Sequence, residues 1–568
     1  MPVYGSWRYV YVALFAAVAF VVIFPMLSVV FGSFWGAPPG RPGGFTFQGY
    51  INTYGSDLST YRVLFNSFFI AGAKTVMAVV SGVFLAWVVT RTDTPGARAL
   101  ETLLAVPFFV PSVLTALGWA MLANPRTGSI NKLLMMLPGV ETPVLNIYSM
   151  SGIIWHMWQF STAFVFILIV PAFRNMDPSL EDSSRMSGSG NISTLFRITL
   201  PLMKPAILGA TLLTFIRGLE AFDTPVLLGV PANILVFSTS IYVNILGRFP
   251  PRYAEGMALS VSLMLIAMVL IVIQWRMLGA KQYTTISGKG YQPRLIRLGP
   301  AKWVALAFCS VYVLVALVLP VSQLIMSSFF RIFGLYTADM FTLGNYQRVL
   351  GDPVVWRSFK NTLIIAGGGA LIALTLATLV SYFVQRIKVR GNKLLDLVAW
   401  LPWTVPGTVL GLGSLWGYAL LPGPLNLYGT AWILLVAYIN IGLPVAMRVM
   451  TGNVVQISPD LEECSRVHGA TLGQTLLRIV APLVRPGFLA GAILLFTMLM
   501  RDLSTSIFLY TPGNEVVPVV ILKYWGEGGG SEVVSVVAIL MLGLLVFLRV
   551  LEGYFRRLDK AKIQMESS

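Results

Sequence analysis

Long apolar runs recur along the whole sequence. Val10–Phe31, Phe65–Val89 and Ala301–Met326 each exceed the ~18–20 residues that a helix needs to cross a hydrocarbon core of roughly 30 Å. Backbone groups in lipid find no water to bond, so such runs must be helices whose N–H and C=O groups are satisfied internally. The alternating ~10-residue segments of a transmembrane barrel are absent. The chain therefore reads as an all-α polytopic membrane protein with about twelve transmembrane helices. Composition agrees, with 11% charged residues against the ~25% of soluble domains, and a mean hydropathy of +0.77. The net charge of +17 would suggest nucleic acid on a soluble chain. Here it is the Lys and Arg excess of cytoplasmic loops, so the expected surroundings are membrane lipid and no nucleic acid. Cys309 lies in an apolar run and Cys464 in a polar loop, so neither a disulfide nor a metal site is expected. No small-residue cleavage site follows Met1 to Arg8, so the first helix is expected to be retained.

Six spans fall near 9–33, 65–90, 101–123, 147–173, 203–229 and 256–278. Six more fall near 301–329, 361–386, 395–421, 429–450, 486–510 and 532–554. The division gives a first transmembrane domain over 1–279, a linker over 280–300 and a second transmembrane domain over 301–568. The stretch between the halves carries Lys281, Lys289, Arg294 and Arg297 and no acid. Arg91 and Arg98 after the second span fall on the same side as the linker. So do Arg386, Lys388, Arg390 and Lys393 after the eighth, and Arg556, Arg557, Lys560 and Lys562 after the twelfth. The positive-inside rule makes that side cytoplasmic, with both termini there and the segments 34–64 and 330–360 outside.

The halves repeat each other. Phe45-Thr46-Phe47-Gln48-Gly49-Tyr50 matches Phe341-Thr342-Leu343-Gly344-Asn345-Tyr346 at an offset of 296, and Pro107 and Pro111 match Pro402 and Pro406 at 295. An even number of spans per half keeps the copies parallel, related by an axis along the membrane normal that encloses a path. The strongest match is in a loop. From Pro178 to Pro205, thirteen of twenty-eight positions are identical at an offset of 281. One copy reads Glu181-Asp182-Ser183-Ser184-Arg185-Met186-Ser187-Gly188 and runs on to Ile198-Thr199-Leu200-Pro201. The other reads Glu462-Glu463-Cys464-Ser465-Arg466-Val467-His468-Gly469 and runs on to Ile479-Val480-Ala481-Pro482. Each predicts a short helix, a turn at glycine, and a second amphipathic helix stopped at proline. Thr471 with Gln474 suits a capping box. Leu195, Phe196 and Ile198, like Leu476, Leu477 and Ile479, offer an apolar face. Such a knob fits a groove on a partner. An isolated copy would equally suit an interfacial helix on lipid headgroups, but two copies of identical Gly and Pro spacing favour the docking role.

The loop resembles the EAA loop of binding-protein-dependent ABC permeases, in which Glu-Ala-Ala is followed by glycine six residues after the Glu and then by Ile-x-Leu-Pro. Glu463, Gly469, Ile479 and Pro482 stand in register, as do Gly188, Ile198, Leu200 and Pro201. Asp182 replaces the Glu of the first copy, Ser183-Ser184 and Cys464-Ser465 replace Ala-Ala, and Ala481 replaces Leu. The fused form resembles ferric-iron importer permeases. Tyr50 with Asn66-Ser67, Asn345-Tyr346 with Asn361-Thr362, and Asp223-Thr224-Pro225-Val226-Leu227-Leu228-Gly229 carry that likeness. Fused permeases for thiamine, and relatives for polyamines or aminoethylphosphonate, share the pattern. The resemblance implies a bacterial or archaeal cytoplasmic-membrane location and two copies of an ABC ATPase on the knobs. It also implies a periplasmic or lipid-anchored substrate-binding protein outside. This chain would bind no cofactor of its own, with ATP and Mg on the ATPase. Consistently, no G-x-x-x-x-G-K-[ST] loop occurs; the nearest fragment is Ser287-Gly288-Lys289-Gly290. The chain is therefore expected to be a transport subunit and not an enzyme.

Ionisable residues within spans mark candidate path positions. The fifth span carries Arg217, Glu220 and Asp223 and the eleventh Arg501 and Asp502, with Thr224 matching Thr505. Glu220 lies roughly 25 Å above Met203 at 1.5 Å per residue. These acids suit a cationic cargo; Arg217–Glu220 and Arg501–Asp502 ion pairing is the structural alternative. Lys74 and His156 are read as packing, Trp400 and Trp403 as interface anchors, and the paired prolines as kinks. A secondary transporter with the same repeats would run on an ion gradient without an ATPase, and the matched knobs argue against it. A membrane-embedded enzyme would need converging catalytic groups, whereas the two histidines lie far apart.

Overall fold

The computed structural model describes residues 5–55, 58–177, 179–279, 295–335, 339–387, 389, 391–528 and 530–566. Most of the expected linker lies outside these residues, including Lys281, Lys289, Arg294 and the Ser287–Gly290 fragment, as do Lys388 and Arg390. The first half runs α1 (Gly5–Ser33), α2 (Leu58–Arg91), α3 (Ala97–Phe109), α4 (Ser112–Leu122), α5 (Met150–Asn175), α6 (Ser179–Met186), α7 (Asn191–Leu219), α8 (Phe237–Ile245) and α9 (Tyr253–Gly279). The second repeats that order as α10 (Ala301–Ser328), α11 (Pro353–Arg386), α12 (Asn392–Thr404), α13 (Gly407–Leu420), α14 (Ala431–Val455), α15 (Pro459–Val467), α16 (Leu472–Leu499), α17 (Val517–Gly526) and α18 (Ser531–Glu566). Among the described residues, ten helices are long and apolar enough to cross a membrane.

Several span boundaries differ from the sequence reading. The third and ninth runs are not straight spans, because α3 and α4 meet at 92° and α12 and α13 at 109°. The cause is local. Val110 and Val405 precede Pro111 and Pro406 and are extended, with ψ of 131° and 124°, because the proline ring excludes its predecessor from helical geometry. The fifth and eleventh spans begin earlier and end sooner than expected, at Leu219 and Leu499. The prolines at 201 and 482 do not stop the second helix of either knob. A π turn, Leu195–Thr199 or Leu476–Val480, immediately precedes each, and the Leu200 and Ala481 N–H groups reach back to Leu195 and Leu476. The wider turn accommodates a ring that would clash with the carbonyl four residues back. Each knob thus continues without a joint into a long helix. Beyond Leu219 the chain forms a short helical segment, Pro225–Ala232, bent by 73° to α8, a feature missing from the sequence reading.

The halves exchange their first helices. α1 packs on α13 and α14 of the other half, and α10 packs on α4 and α5. A Cβ on Gly413 would lie 2.2 Å from the Pro25 carbonyl oxygen, and one on Gly118 would lie 2.4 Å from that of Pro320. Only glycine allows backbones this close. Pro25 has no N–H, which leaves the Val21 carbonyl without its helical donor. Asn440 of α14 supplies one, Nδ2 to O 2.8 Å. Reciprocally, Tyr312 of α10 donates to the Gln159 carbonyl at 2.7 Å. One buried apolar cluster runs through both halves.

Candidate functional site

Each knob is a short helix closed by the same turn. Gly188 N–H donates to the Arg185 carbonyl and Ser189 N–H to that of Ser184; Gly469 and Ala470 do the same to Arg466 and Ser465. This double bond pattern is the Schellman motif, which needs a left-handed residue at its centre. Gly188 has φ +84° and Gly469 +80°. At the other end of α6, the Ser179 N–H and hydroxyl hold the Asp177 carboxyl below its ordinary range. Thr471 and Gln474 close the capping box of the second knob, at 3.3 and 2.8 Å.

Of the two acids in each knob, only the first is sealed. Glu181 is 3% exposed and Glu462 2%. Glu181 accepts from Thr199 Oγ1 at 2.7 Å and pairs with Arg91 and Arg185 at 3.8 and 3.9 Å. Glu462 accepts from Tyr382 Oη at 2.8 Å and pairs with Arg386 and Arg466 at 3.3 and 3.5 Å. Arg91 and Arg386 end α2 and α11. Both follow their spans on the side that the sequence reading gave them, but their side chains turn into the protein. Arg91 donates to the carbonyls of Phe173 and Met176, and Arg386 to those of Val454 and Ile457. These carbonyls lie at helix ends, where intrahelical donors run out. In each half one guanidinium therefore ties the end of α2 or α11 to the end of α5 or α14 and to the knob. The pair at 91 and 386 shares the 295 offset of the paired prolines, which was the available sequence signal.

Asp182 and Glu463 turn outward; Asp182 pairs with Arg185 at 3.3 Å. Ile198 and Ile479 are half-buried, while Pro201 and Pro482 are exposed. The expected apolar faces divide. Leu476 is buried, whereas Phe196 and Leu477 are 64% and 74% exposed. Leu180 and Met186, and their matches Leu461 and Val467, are exposed with them. Each knob thus presents the same bare apolar ridge, a surface of the kind that marks a partner's seat.

The intramembrane groups gather where helices break. Glu220 caps α7 and pairs with Arg217 at 3.3 Å. Arg217 lies over the Trp403 ring of the other half, 4.7 Å from its centre. Arg501, just beyond α16, crosses the opposite way. It donates to the Phe108 carbonyl at 2.8 Å and lies 5.4 Å from that ring's centre. Phe108 and Trp403 are matched positions before the two bends, so each half sends an arginine onto the other's bend. Trp403 is therefore engaged between the halves and is not an interface anchor. Asp223 accepts the Ser112 hydroxyl at the start of α4. The matched positions, Ser504 and Gly407, approach so closely that a Cβ on Gly407 would lie 2.3 Å from Ser504 Oγ. Asp502 does not pair with Arg501; it accepts the backbone N–H groups of Thr505 and Ser506 at 3.2 and 3.3 Å. Lys74 is buried and donates to Ser161 and to the Thr214 carbonyl. His156 bridges the Thr115 and Thr224 hydroxyls at 2.9 and 2.8 Å. Among the described residues, no three His, Cys, Asp or Glu come together as metal ligands.

Two repeated helical units with matched knobs and broken helices at the centre are the architecture of a membrane permease. Residues 369–560 match the binding-protein-dependent transport system inner membrane components. Over 540 residues, 93% of this chain and 76% of the relative, the sequence is 26% identical to ferric transport system permease protein FbpB of Actinobacillus pleuropneumoniae. Over 44% of this chain it is 27% identical to a putative 2-aminoethylphosphonate transport system permease protein, PhnV, of Salmonella paratyphi A, covering 94% of it. A chain of a solved bacterial alginate ABC transporter aligns with 48% of this chain and 93% of its own, at 21% identity and a TM-score of 0.40. Residues 369–560 thus carry a binding-protein-dependent inner membrane component, and the chain as a whole is similar to ABC importer permeases of the form that fuses two transmembrane units.

Proposed function

We propose that this permease passes ferric iron from a periplasmic or lipid-anchored binding protein into the cytoplasm, driven by two copies of an ABC ATPase seated on the two knobs. Both termini and the knobs face the cytoplasm, and ATP and Mg bind the ATPase, not this chain. The observation that carries the reading is the pair of knobs, alike in turn, buried clamp and bare apolar ridge. Glu181, Gly188, Ile198 and Pro201, with Glu462, Gly469, Ile479 and Pro482, shape the docking elements, and Asp182 and Glu463 meet the ATPase. Each knob continues into a helix of 28 or 29 residues, roughly 40 Å long, that ends beside Glu220 or Arg501. Movement at a knob is thereby delivered to the bends at Val110 and Val405. Glu220, Asp223, Arg501 and Asp502 line the path in this reading, and the acids meet a cation singly. The iron assignment is supported by the named relative.

A second reading has its own support. Arg217 and Arg501, set over aromatic rings at the two bends, suit an anion such as a phosphonate. The discriminating experiment reconstitutes the chain with its ATPase and measures ATP hydrolysis with binding proteins loaded with iron, aminoethylphosphonate, thiamine or polyamine. Stimulation by the iron-loaded protein alone is the expected result. Stimulation by the phosphonate-loaded protein alone would replace the first reading with the second. Transport that follows an ion gradient, with no ATPase in the purified complex, would overturn both.

A further inference from the structure

A groove of about 800 Å³ lies along the seam where α10 docks on the first half, within the ~300–1,000 Å³ of small-molecule sites. Val76, Val80 and Phe84 of α2 form one wall and Val304 and Phe308 of α10 the other, with Trp158 at the floor. The polar atoms at the floor are already engaged. Trp158 Nε1 donates to Ser81 Oγ at 2.9 Å, and Ser81 bonds the Met77 carbonyl and the Thr162 hydroxyl. An occupant therefore meets hydrocarbon only. Both walls belong to helices long enough to span the membrane, so the groove opens to lipid.

Its depth and mouth identify the occupant. The α2 wall runs from Val76 to Trp87, roughly 16 Å at 1.5 Å per residue, which is about one leaflet of a ~30 Å hydrocarbon core. Leu298 and Ala301 close the Trp87 end, and Arg297 and Lys302 flank them in sequence. Asp93, the acid beside them, is spent on the Leu298 N–H at 2.9 Å. In the other half Trp7 and Tyr11 of α1 pack against Phe383 with ring centres 6.4 and 5.8 Å apart. We propose that this groove is a specific site for one anionic phospholipid, its acyl chain along α2 and α10 and its headgroup at Arg297 and Lys302.

Native mass spectrometry of the full chain, delipidated in mixed micelles of phosphatidylglycerol and phosphatidylcholine, tests this. The wild type retains one phosphatidylglycerol. Val80→Trp with Val304→Trp, at positions 68% and 70% exposed, fills the groove and loses that lipid with an unchanged thermal melt. Arg297→Gln with Lys302→Gln weakens phosphatidylglycerol retention roughly 30-fold, from the loss of two headgroup-level charges, and leaves phosphatidylcholine unaffected. Equal retention of both lipids by the wild type, or an undiminished lipid count in the filled variant, would overturn the proposal.

Discussion

Two adjacent acids, Glu462 and Glu463, should behave oppositely on truncation. Glu462 is sealed against Arg386, Arg466 and the Tyr382 hydroxyl. Glu462→Ala leaves the Arg386 guanidinium, 14% exposed, without its counter-charge, and strands the Tyr382 hydroxyl. Removing one partner of a buried pair costs about 3–5 kcal/mol; a stranded hydroxyl costs about 1–3 kcal/mol alone, and the two overlap because they share one carboxylate. Glu463 faces out, where truncation changes stability by about 0.5 kcal/mol or less.

The loss falls on the knob, so hydrogen exchange of a peptide spanning 459–475 is the assay. A local loss of 3–5 kcal/mol raises exchange by roughly two to four orders of magnitude at 1.4 kcal/mol per decade. Glu463→Ala should leave that exchange at the wild-type rate while lowering ATPase stimulation. If Glu463→Ala frees the knob as much as Glu462→Ala, or if neither does, the clamp is not what holds α15 in place. A double-mutant cycle with Arg386→Ala should return a clear coupling energy for Glu462 and none for Glu463.

Gly188→Val with Gly469→Val should abolish coupled ATP hydrolysis while leaving the chain inserted. No atom lies within 4 Å of either Cβ position, so the cost is the left-handed backbone alone, about 1–2 kcal/mol per site, and Asn at both positions should retain more coupling than Val. Gly413→Val should lower the melting temperature in detergent, because its Cβ meets the Pro25 carbonyl and overpacking costs about 1–3 kcal/mol; Gly452→Ala, with open space around it, is the matched control. Arg501→Lys should keep the charge but lose the planar contact with Phe108, worth about 0.5–2 kcal/mol, and slow uptake in an assembled complex. Glu220→Gln or Asp223→Asn should likewise lower uptake without loss of assembly, and unchanged uptake in both would leave these acids a purely structural role.

Much of the architecture was legible because it is local. A run of twenty apolar residues must be a helix in lipid whatever surrounds it. A glycine six residues into a loop, repeated at an offset of 281, announces the same turn twice. The knobs at 181–201 and 462–482 followed from that logic. Their internal burial did not. Which of two neighbouring acids is sealed depends on where Arg91 and Arg386 arrive, and those residues sit 90 and 76 positions away in the chain. The proline bends at Val110 and Val405 were signalled, but their angles were not, since a proline excludes helical geometry without choosing its replacement. Hydropathy likewise marked α1 and α10 as spans without saying on which half they pack. That choice was made by backbone approach at Gly413 and Gly118, and by Asn440 answering the carbonyl that Pro25 leaves open. The sequence alone thus determined a repeated pair of helical units with two matched helix–turn–helix knobs, because period, length and turn chemistry act over a few residues. The exchange of first helices, the arginines laid across each other's bends and the identity of the buried acids were decided only by the tertiary structure, because each depends on groups brought together from distant parts of the chain.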